Sequence, residues 1–469
     1  MKKFIFLLLS ACAVIGSRAQ QPFAGTWEGK LNVGVELRLV FHIHPAGAGG
    51  WSATADSPDQ SAFGMKCDTV IVSADSIRIE MRGINAAFAG QLLADTAISG
   101  TFSQGMTFPL LLKKVDKPTT RKRPQLPQPP FPYRSEDVEY GNADKTLRYG
   151  GTLTIPPGSG PFPAVLLITG SGAQDRDETL LGHKPFALLA DALTRNGYMV
   201  LRVDDRGTGK TTGNFALATS ADFADDAAAS LDYLLSRPET DKAKTGMIGH
   251  SEGAMIAPMV AAGRKDISFI VLMAGPGVPI TELLAEQNAA ILHSSGVSQP
   301  AIDAYVRLYR QLMAAALSAS SDSLAAQVPG LVSQWTSATD TTLLRALGIA
   351  SEKDARQMAA SLSGQLSGPW FRYFLGIDPR PALRQLHCKV LALNGSRDIQ
   401  VLPASNLAGI RAALKKSKSK NYTVKELPGL NHLFQTCSKC TLGEYSELEE
   451  TLSPIALQTI NDWLDKNVK

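Results

Sequence analysis

Residues 244–257, Lys-Thr-Gly-Met-Ile-Gly-His-Ser-Glu-Gly-Ala-Met-Ile-Ala, constrain this chain more than any other stretch. An apolar strand runs into Gly-x-Ser-x-Gly and on into an alanine-rich helix, a context that turns a common pattern into a strand–turn–helix with a raised serine. The turn is tight enough that a Cβ at Gly249 or Gly253 would strike neighbouring backbone. It holds Ser251 strained at a helix N-terminus, where the helix dipole favours developing negative charge. A glycine-bounded turn with an ordinary serine is the plain alternative, and the flanking strand and helix weigh against it.

The surrounding pattern sets the fold class. Apolar runs PAVLLITG, YMVLRVD, KTGMIG, SFIVLMAG, KVLALNG and YTVKELP alternate with helical segments near 185–196, 221–236 and after Ser251. Such alternation predicts an α/β domain with a doubly wound, mostly parallel sheet covered on both faces. SEDVEYGN and LRYGGTLTIP read as a strand pair at its start, so the domain is placed at 134–469. From about 276 to 375 the alternation gives way to an Ala-, Ser-, Leu- and Gln-rich stretch of helical period, read as an inserted cap. Between Thr26 and Lys114 short alternating segments are broken by Gly, Asp, Ser and Pro, which predicts seven or eight strands in a small all-β barrel or sandwich over 20–115. Residues 116–133 carry six prolines and read as a stiff linker.

Composition excludes several classes. With 44% hydrophobic and 19% charged residues in 469, the chain is neither disordered nor collagenous. Residues 1–19 have the Lys pair, short apolar run and Ser17-Arg18-Ala19 site of a removed signal peptide, so the protein is expected to be exported to the periplasm or beyond. Leu9-Ser10-Ala11-Cys12 is the competing signal, for lipid anchoring at Cys12. No later run is apolar enough for a membrane span. Without that segment the formal charge falls from +4 to +4 − 3 = +1. The one dense basic cluster, Lys113, Lys114, Lys117, Arg121, Lys122 and Arg123, reads as solvated linker, so no nucleic-acid partner is expected. His42 and His44 share a strand face, and Cys437 and Cys440 can close a small disulfide. Neither pair has the further ligands a zinc site wants, and no metal or cofactor is expected.

Serine needs a base, and in strand–turn–helix enzymes of this kind the order is serine, acid, histidine. His293, His387 and His432 follow the serine; the first falls in the cap and the second just before a strand. His432 sits in a loop after YTVKEL, and Asp398 in the turn after KVLALNG, both at strand C-terminal ends; Glu426 is the reserve acid. Two oxyanion donors are expected: the Glu252 N–H, and the Ser171 N–H in the turn Gly170-Ser171-Gly172, with Gly172 as alternative. Arg176, Asp204, Asp205 and Arg206 either brace these loops or touch substrate. Trp370, Phe371, Tyr373 and Phe374 are either pocket wall or core.

With ITGSGAQDRDE, VLRVDDRGTGK, IGHSEGAMIAPMVAA, VLMAGPG, VLALNGSRDIQV and LPGLNHLFQ, the chain resembles the α/β-hydrolase superfamily, in particular secreted bacterial esterase-like and serine-aminopeptidase-like hydrolases. The resemblance covers most of residues 134–469 and places the family's serine, acid and histidine on Ser251, Asp398 and His432. Similar proteins carry a small β domain in front. Cys437-Ser438-Lys439-Cys440 departs from the pattern. The expectation is a serine esterase acting through an acyl-enzyme on a small-molecule or acylated-carbohydrate ester. The competing readings are a peptidase or amidase, with Glu252 anchoring an amine, and a non-catalytic binding protein.

Overall fold

The computed structural model describes residues 22–33, 36–47, 50–60, 62–119 and 121–469; the expected signal segment 1–19, with Cys12, lies outside them. The chain divides into two compact units, the first running to residue 120 apart from 59–61 and the second comprising 59–61 and 121–469.

The first unit is one antiparallel sheet of nine strands: β1 (Gly25–Asn32), β2 (Glu36–Pro45), β3 (Trp51–Ser57), β4 (Ala62–Lys66), β5 (Thr69–Val72), β6 (Ser76–Met81), β7 (Ala86–Ala94), β8 (Ala97–Gln104) and β9 (Met106–Val115). Their order is β4-β3-β2-β1-β9-β8-β7-β6-β5. Period-two alternation turns Trp27, Leu31, Phe41, Phe88 and Phe102 into a common core. The count exceeds the seven or eight strands expected because β4 and β7 are Ala- and Gly-rich and carry little intrinsic strand signal. In β7 the missing bulk is used: Gly100 of β8 lies so close that a Cβ there would sit 2.2 Å from Ala89 O. His42 is tied across strands, with Nε2 2.8 Å from Asp56 Oδ2 and Nδ1 3.3 Å from Thr26 Oγ1, whereas His44 is exposed.

The second unit is built on eight strands: β10 (Arg134–Gly141), β11 (Arg148–Ile155), β12 (Phe162–Ile168), β13 (Met199–Val203), β14 (Thr240–His250), β15 (Phe269–Met273), β16 (Lys389–Gly395) and β17 (Tyr422–Leu427). Their order is β10-β11-β13-β12-β14-β15-β16-β17, antiparallel through β10, β11 and β13 and parallel from β13 onward. The helices are α1 (Pro185–Arg195), α2 (Ser220–Ser236), α3 (Glu252–Ala262), α4 (Ile280–Ser294), α5 (Gln299–Ser318), α6 (Ser321–Ala338), α7 (Thr341–Ala346), α8 (Glu352–Ser367), α9 (Pro369–Leu375), α10 (Arg380–Gln385), α11 (Pro403–Leu414), α12 (Glu444–Glu447) and α13 (Pro454–Asn467).

Burial explains the continuous apolar runs. Residues of α2, α3, α10 and α11 pack on one face of the sheet against Leu166, Met247 and Ile270, and those of α1 and α13 pack on the other against Val165, Ile248 and Val271. A strand covered twice needs apolar residues at successive positions. Helices α4 to α9, inserted between β15 and β16, close a core of their own around Leu308, Leu312, Val332 and Leu366. This is the α/β-hydrolase fold with a helical cap, preceded in the chain by an all-β unit.

One expectation about the basic cluster is corrected. Arg123 is not a free linker charge: its guanidinium donates to the carbonyls of Leu181, Ser446 and Leu448 at 2.8, 3.2 and 2.9 Å. Gln125 follows it, bonding Leu452 O and accepting from the Thr451 and Leu452 amides. Loop carbonyls that need donors capture side chains which the charge pattern alone assigns to solvent.

Candidate active site

The turn between β14 and α3 is as tight as its glycines imply. A Cβ on Gly249 would lie 2.1 Å from Gly253 O, and one on Gly253 2.2 Å from Ile168 O. Ser251 takes φ 53° and ψ −114°, a conformation costing a side-chain-bearing residue about 1–3 kcal/mol. Its N–H donates to Met273 O at 2.8 Å, so the neighbouring strand β15 helps impose the strain.

Asp398 and His432 meet across two loops. Asp398 Oδ1 accepts the Gln400 and Val401 amides at 2.7 and 2.9 Å, which leaves Oδ2 for His432 Nδ1 at 2.8 Å. Both side chains are buried, with relative exposures of 0% and 6%. With Nδ1 donating to the carboxylate, Nε2 is the nitrogen left to act as base. Asn431 fixes the histidine loop: its Oδ1 accepts the Leu433 and Gln435 amides at 3.0 and 2.9 Å. His432 and Ser251 line one cavity of about 280 Å³, which Ser171 and Glu252 also border. Glu426 is exposed on β17, His293 ends α4, and neither borders this cavity.

Around the turn after β12, backbone amides are held by one buried and one half-buried acid. Gly170 N–H donates to Glu178 Oε1 at 2.9 Å and Gln174 N–H to Asp205 Oδ2 at 2.9 Å, while Thr169 Oγ1 donates to Asp205 Oδ1 at 2.8 Å. Burial pushes the Asp205 carboxyl up to about 7. Glu252 opens α3, so its N–H belongs to the first turn, whose amides have no intrahelical acceptor. Its side chain is buried, which raises the carboxyl above its ordinary value.

Sequence reasoning passed over Glu178 and His250. Glu178 Oε1 lies 2.9 Å from His250 Nδ1, and His250 Nε2 donates to His432 O at 3.0 Å. Burial opposes a charge on His250, but the Glu178 carboxylate, its hydrogen bond and the His432 carbonyl outweigh it and hold the imidazole above its ordinary value. One buried pair therefore links the turn at Gly170 to the loop of His432. The only hint in the sequence is that His250 is a variable position inside Gly-x-Ser-x-Gly.

Arg176, Asp204 and Arg206 are braces. Arg176 Nη2 bonds Asp204 Oδ2 at 2.6 Å and Arg206 Nε bonds Asp226 Oδ2 at 2.6 Å. Although burial opposes it, Arg176 and two backbone amides hold Asp204 below the usual carboxylate range. None of the three borders the cavity at Ser251. Of the four cap aromatics, Trp370, Phe371 and Phe374 line that cavity, with Trp370 and Phe374 stacked at 5.1 Å. Tyr373 is 42% exposed and points elsewhere, because residues adjacent on a helix face different ways. Cys437 and Cys440 form a disulfide, and Glu444 beside it accepts the amides of Ser438, Lys439 and Cys440. Cys437, Cys440 and Glu444 are the single group with metal-like clustering among the described residues, and the disulfide occupies both sulfurs.

Residues 150–416 match the X-Pro dipeptidyl-peptidase (S15) family. Esterase EstD of Thermotoga maritima is 36% identical over 137 residues, 29% of this chain and 32% of that protein. Mitochondrial acyl-coenzyme A thioesterase 2 of Homo sapiens is 32% identical over 144 residues, 30% of this chain and 25% of that protein. The aligned part spans about a third or less of these curated relatives. Among solved structures, an esterase of Pyrococcus furiosus aligns with TM-score 0.42 and 14% identity over 72% of this chain and 92% of that one. A hypothetical protein of Pseudomonas aeruginosa aligns with TM-score 0.45 and 14% identity over 75% and 98%.

Proposed function

Because this chain belongs to the X-Pro dipeptidyl-peptidase (S15) family, and is thereby a hydrolase of esters or peptides, we propose that it cleaves carboxylic esters through a covalent acyl-enzyme on Ser251. The observation carrying this reading is the Asp398–His432 pair, bonded at 2.8 Å, whose imidazole borders the same cavity as the strained Ser251.

In the proposed reaction His432 Nε2 takes the hydroxyl proton as Ser251 Oγ bonds to the acyl carbon, and the carbonyl electrons move to oxygen. Asp398 keeps the imidazole in the tautomer that can accept that proton and stabilises its positive charge. The oxyanion is received by the Ser171 and Glu252 amides. Collapse breaks the bond to the alkoxide, which leaves with the proton from Nε2; water, activated the same way, then releases the acid and restores the serine. Export to the periplasm or the medium, read from residues 1–19, belongs to the same proposal.

A fluorophosphonate probe tests the nucleophile. Wild type is expected to label and to hydrolyse p-nitrophenyl acetate, and Ser251→Ala to lose labelling together with about six orders of magnitude in turnover. Unlabelled, inactive wild type would instead favour a binding protein. The family match gives the second reading, a peptidase. Glycyl-prolyl p-nitroanilide cleaved far faster than the ester would establish that reading.

A further inference from the structure

The polar lining of the cavity beside Ser251 includes four neutral amides. Gln174, Gln287, Gln365 and Gln400 border it, delivered by four different elements: the loop after β12, α4, α8 and the loop after β16. No Lys or Arg is among the lining residues and His250 is bonded on both nitrogens, so no free side-chain cation answers a phosphate or a carboxylate. Both lining acids are already engaged. Glu178 is held between His250 and the Gly170 amide. Glu252 Oε1 accepts from Ser220 Oγ at 2.6 Å and Trp370 Nε1 at 2.9 Å, while its Oε2 is buried without a partner and burial disfavours the charged carboxylate. An incoming ammonium thus meets no exposed carboxylate, and Glu252 Oε2, an unpartnered acid oxygen in the lining, is the anchor the competing peptidase reading would use. His183, a further lining residue, is bonded to Thr451 and Tyr445, and burial holds it down to about 4, hence neutral.

The amides keep bonding capacity in reserve. Gln174 Nε2 donates to Ser171 O at 3.1 Å, yet its Oε1 is buried without a partner. Gln400 Nε2 reaches Tyr445 Oη at 3.3 Å, which leaves its oxygen. Among the described residues, the side chains of Gln287 and Gln365 make no hydrogen bond to protein. A glutamine offers a donor and an acceptor together, which is what a hydroxyl group needs, and a buried amide oxygen left unpaired is costly. Trp370, stacked on Phe374, supplies a flat apolar wall beside these polar groups.

Resting on the ester-hydrolase reading above, we propose that the substrate is a small neutral ester rich in hydroxyls, an acylated monosaccharide or polyol, whose hydroxyls are held by Gln174, Gln287, Gln365 and Gln400. A cavity of about 280 Å³ suits one ring with a short acyl group better than a coenzyme A chain.

The test compares kcat/KM of the full protein on 6-O-acetylglucose, on cyclohexylmethyl acetate, which has a ring and a primary acetate but no hydroxyls, and on acetyl-coenzyme A. Wild type is expected to prefer the sugar acetate over the cyclohexyl ester by about tenfold or more. Gln287→Leu with Gln365→Leu should lower that ratio about tenfold, as the loss of two neutral hydrogen bonds implies. The ratio is internal to each protein, so a general loss of activity cancels. Gln365→Leu alone, at an exposed position of α8, serves if the double variant fails to fold, with a smaller fall of about threefold. Labelled wild type with equal kcat/KM on the two ring esters, a ratio untouched by the substitutions, or faster turnover of acetyl-coenzyme A would each overturn this inference alone. Absence of both labelling and any ester cleavage would overturn the parent reading with it.

Discussion

Replacing Glu178 by Gln removes the charge facing a buried imidazole while leaving the shape of the side chain. Glu178 and His250 side chains are 6% and 7% exposed, and Glu178 Oε1 serves both His250 Nδ1 and the Gly170 amide at 2.9 Å. Removing one partner of a buried pair costs about 3–5 kcal/mol. Gln keeps an oxygen that can accept from Gly170, which places this variant near the lower figure, about 3 kcal/mol. The cost must depend on pH. The folded-state value of His250 is raised above its unfolded value, about 6.5. Its protonation therefore contributes stability that is fully present below pH about 6.5 and is lost as pH rises through the folded-state value. Without the carboxylate the imidazole must be buried neutral, so Glu178→Gln should be more destabilising at pH 5.5 than at pH 9.5. The chain has two compact units, so the assay is urea pulse proteolysis with the 121–469 fragment followed as its own band. Equal destabilisation at the two pH values, or one that grows with pH, would refute the charge argument and leave Glu178 a steric and hydrogen-bonding residue only.

Two further substitutions separate the acids near the serine. Asp398→Asn can still accept the Gln400 and Val401 amides through its oxygen, but its NH₂ then faces His432 Nδ1 and selects the tautomer protonated on Nε2, which cannot take the serine proton. A fall in kcat of about four orders of magnitude on p-nitrophenyl acetate is expected, and a loss under tenfold would remove Asp398 from the mechanism. Asp205 is linked to pH in the same direction as His250, though by favouring its neutral form: burial raises its folded value to about 7, above the unfolded value of about 3.9. Ionising it in the folded protein is unfavourable, so wild type should lose stability as pH rises from about 4 to about 7, and Asp205→Asn should flatten that decline. Parallel curves for the two proteins across this range would place the cause of the decline elsewhere.

What could be read from the sequence follows from where each interaction lies along the chain. Ser251 is marked by its two glycines and the strand before it, and Asp398 and His432 each follow a buried strand, so local pattern alone picks them out. The all-β unit was legible wherever β-branched and aromatic residues alternate, and failed at β4 and β7, where Ala and Gly carry strand geometry without strand propensity. His250 and Glu178 are 72 residues apart, and Arg123 reaches its carbonyls across 58 to 325 residues; no periodicity records such meetings. The four glutamines are the extreme case, because each looks like an ordinary polar position on its own helix or loop and gains meaning only when the cap folds over the sheet. Candidate residues at the sheet's edge are therefore marked locally, whereas the amides proposed to bind hydroxyls are distributed between core and cap. Exchanging the cap residues should change which esters are cleaved while leaving the order of serine, acid and histidine untouched, since the cap is inserted between β15 and β16 and interrupts no strand that carries them.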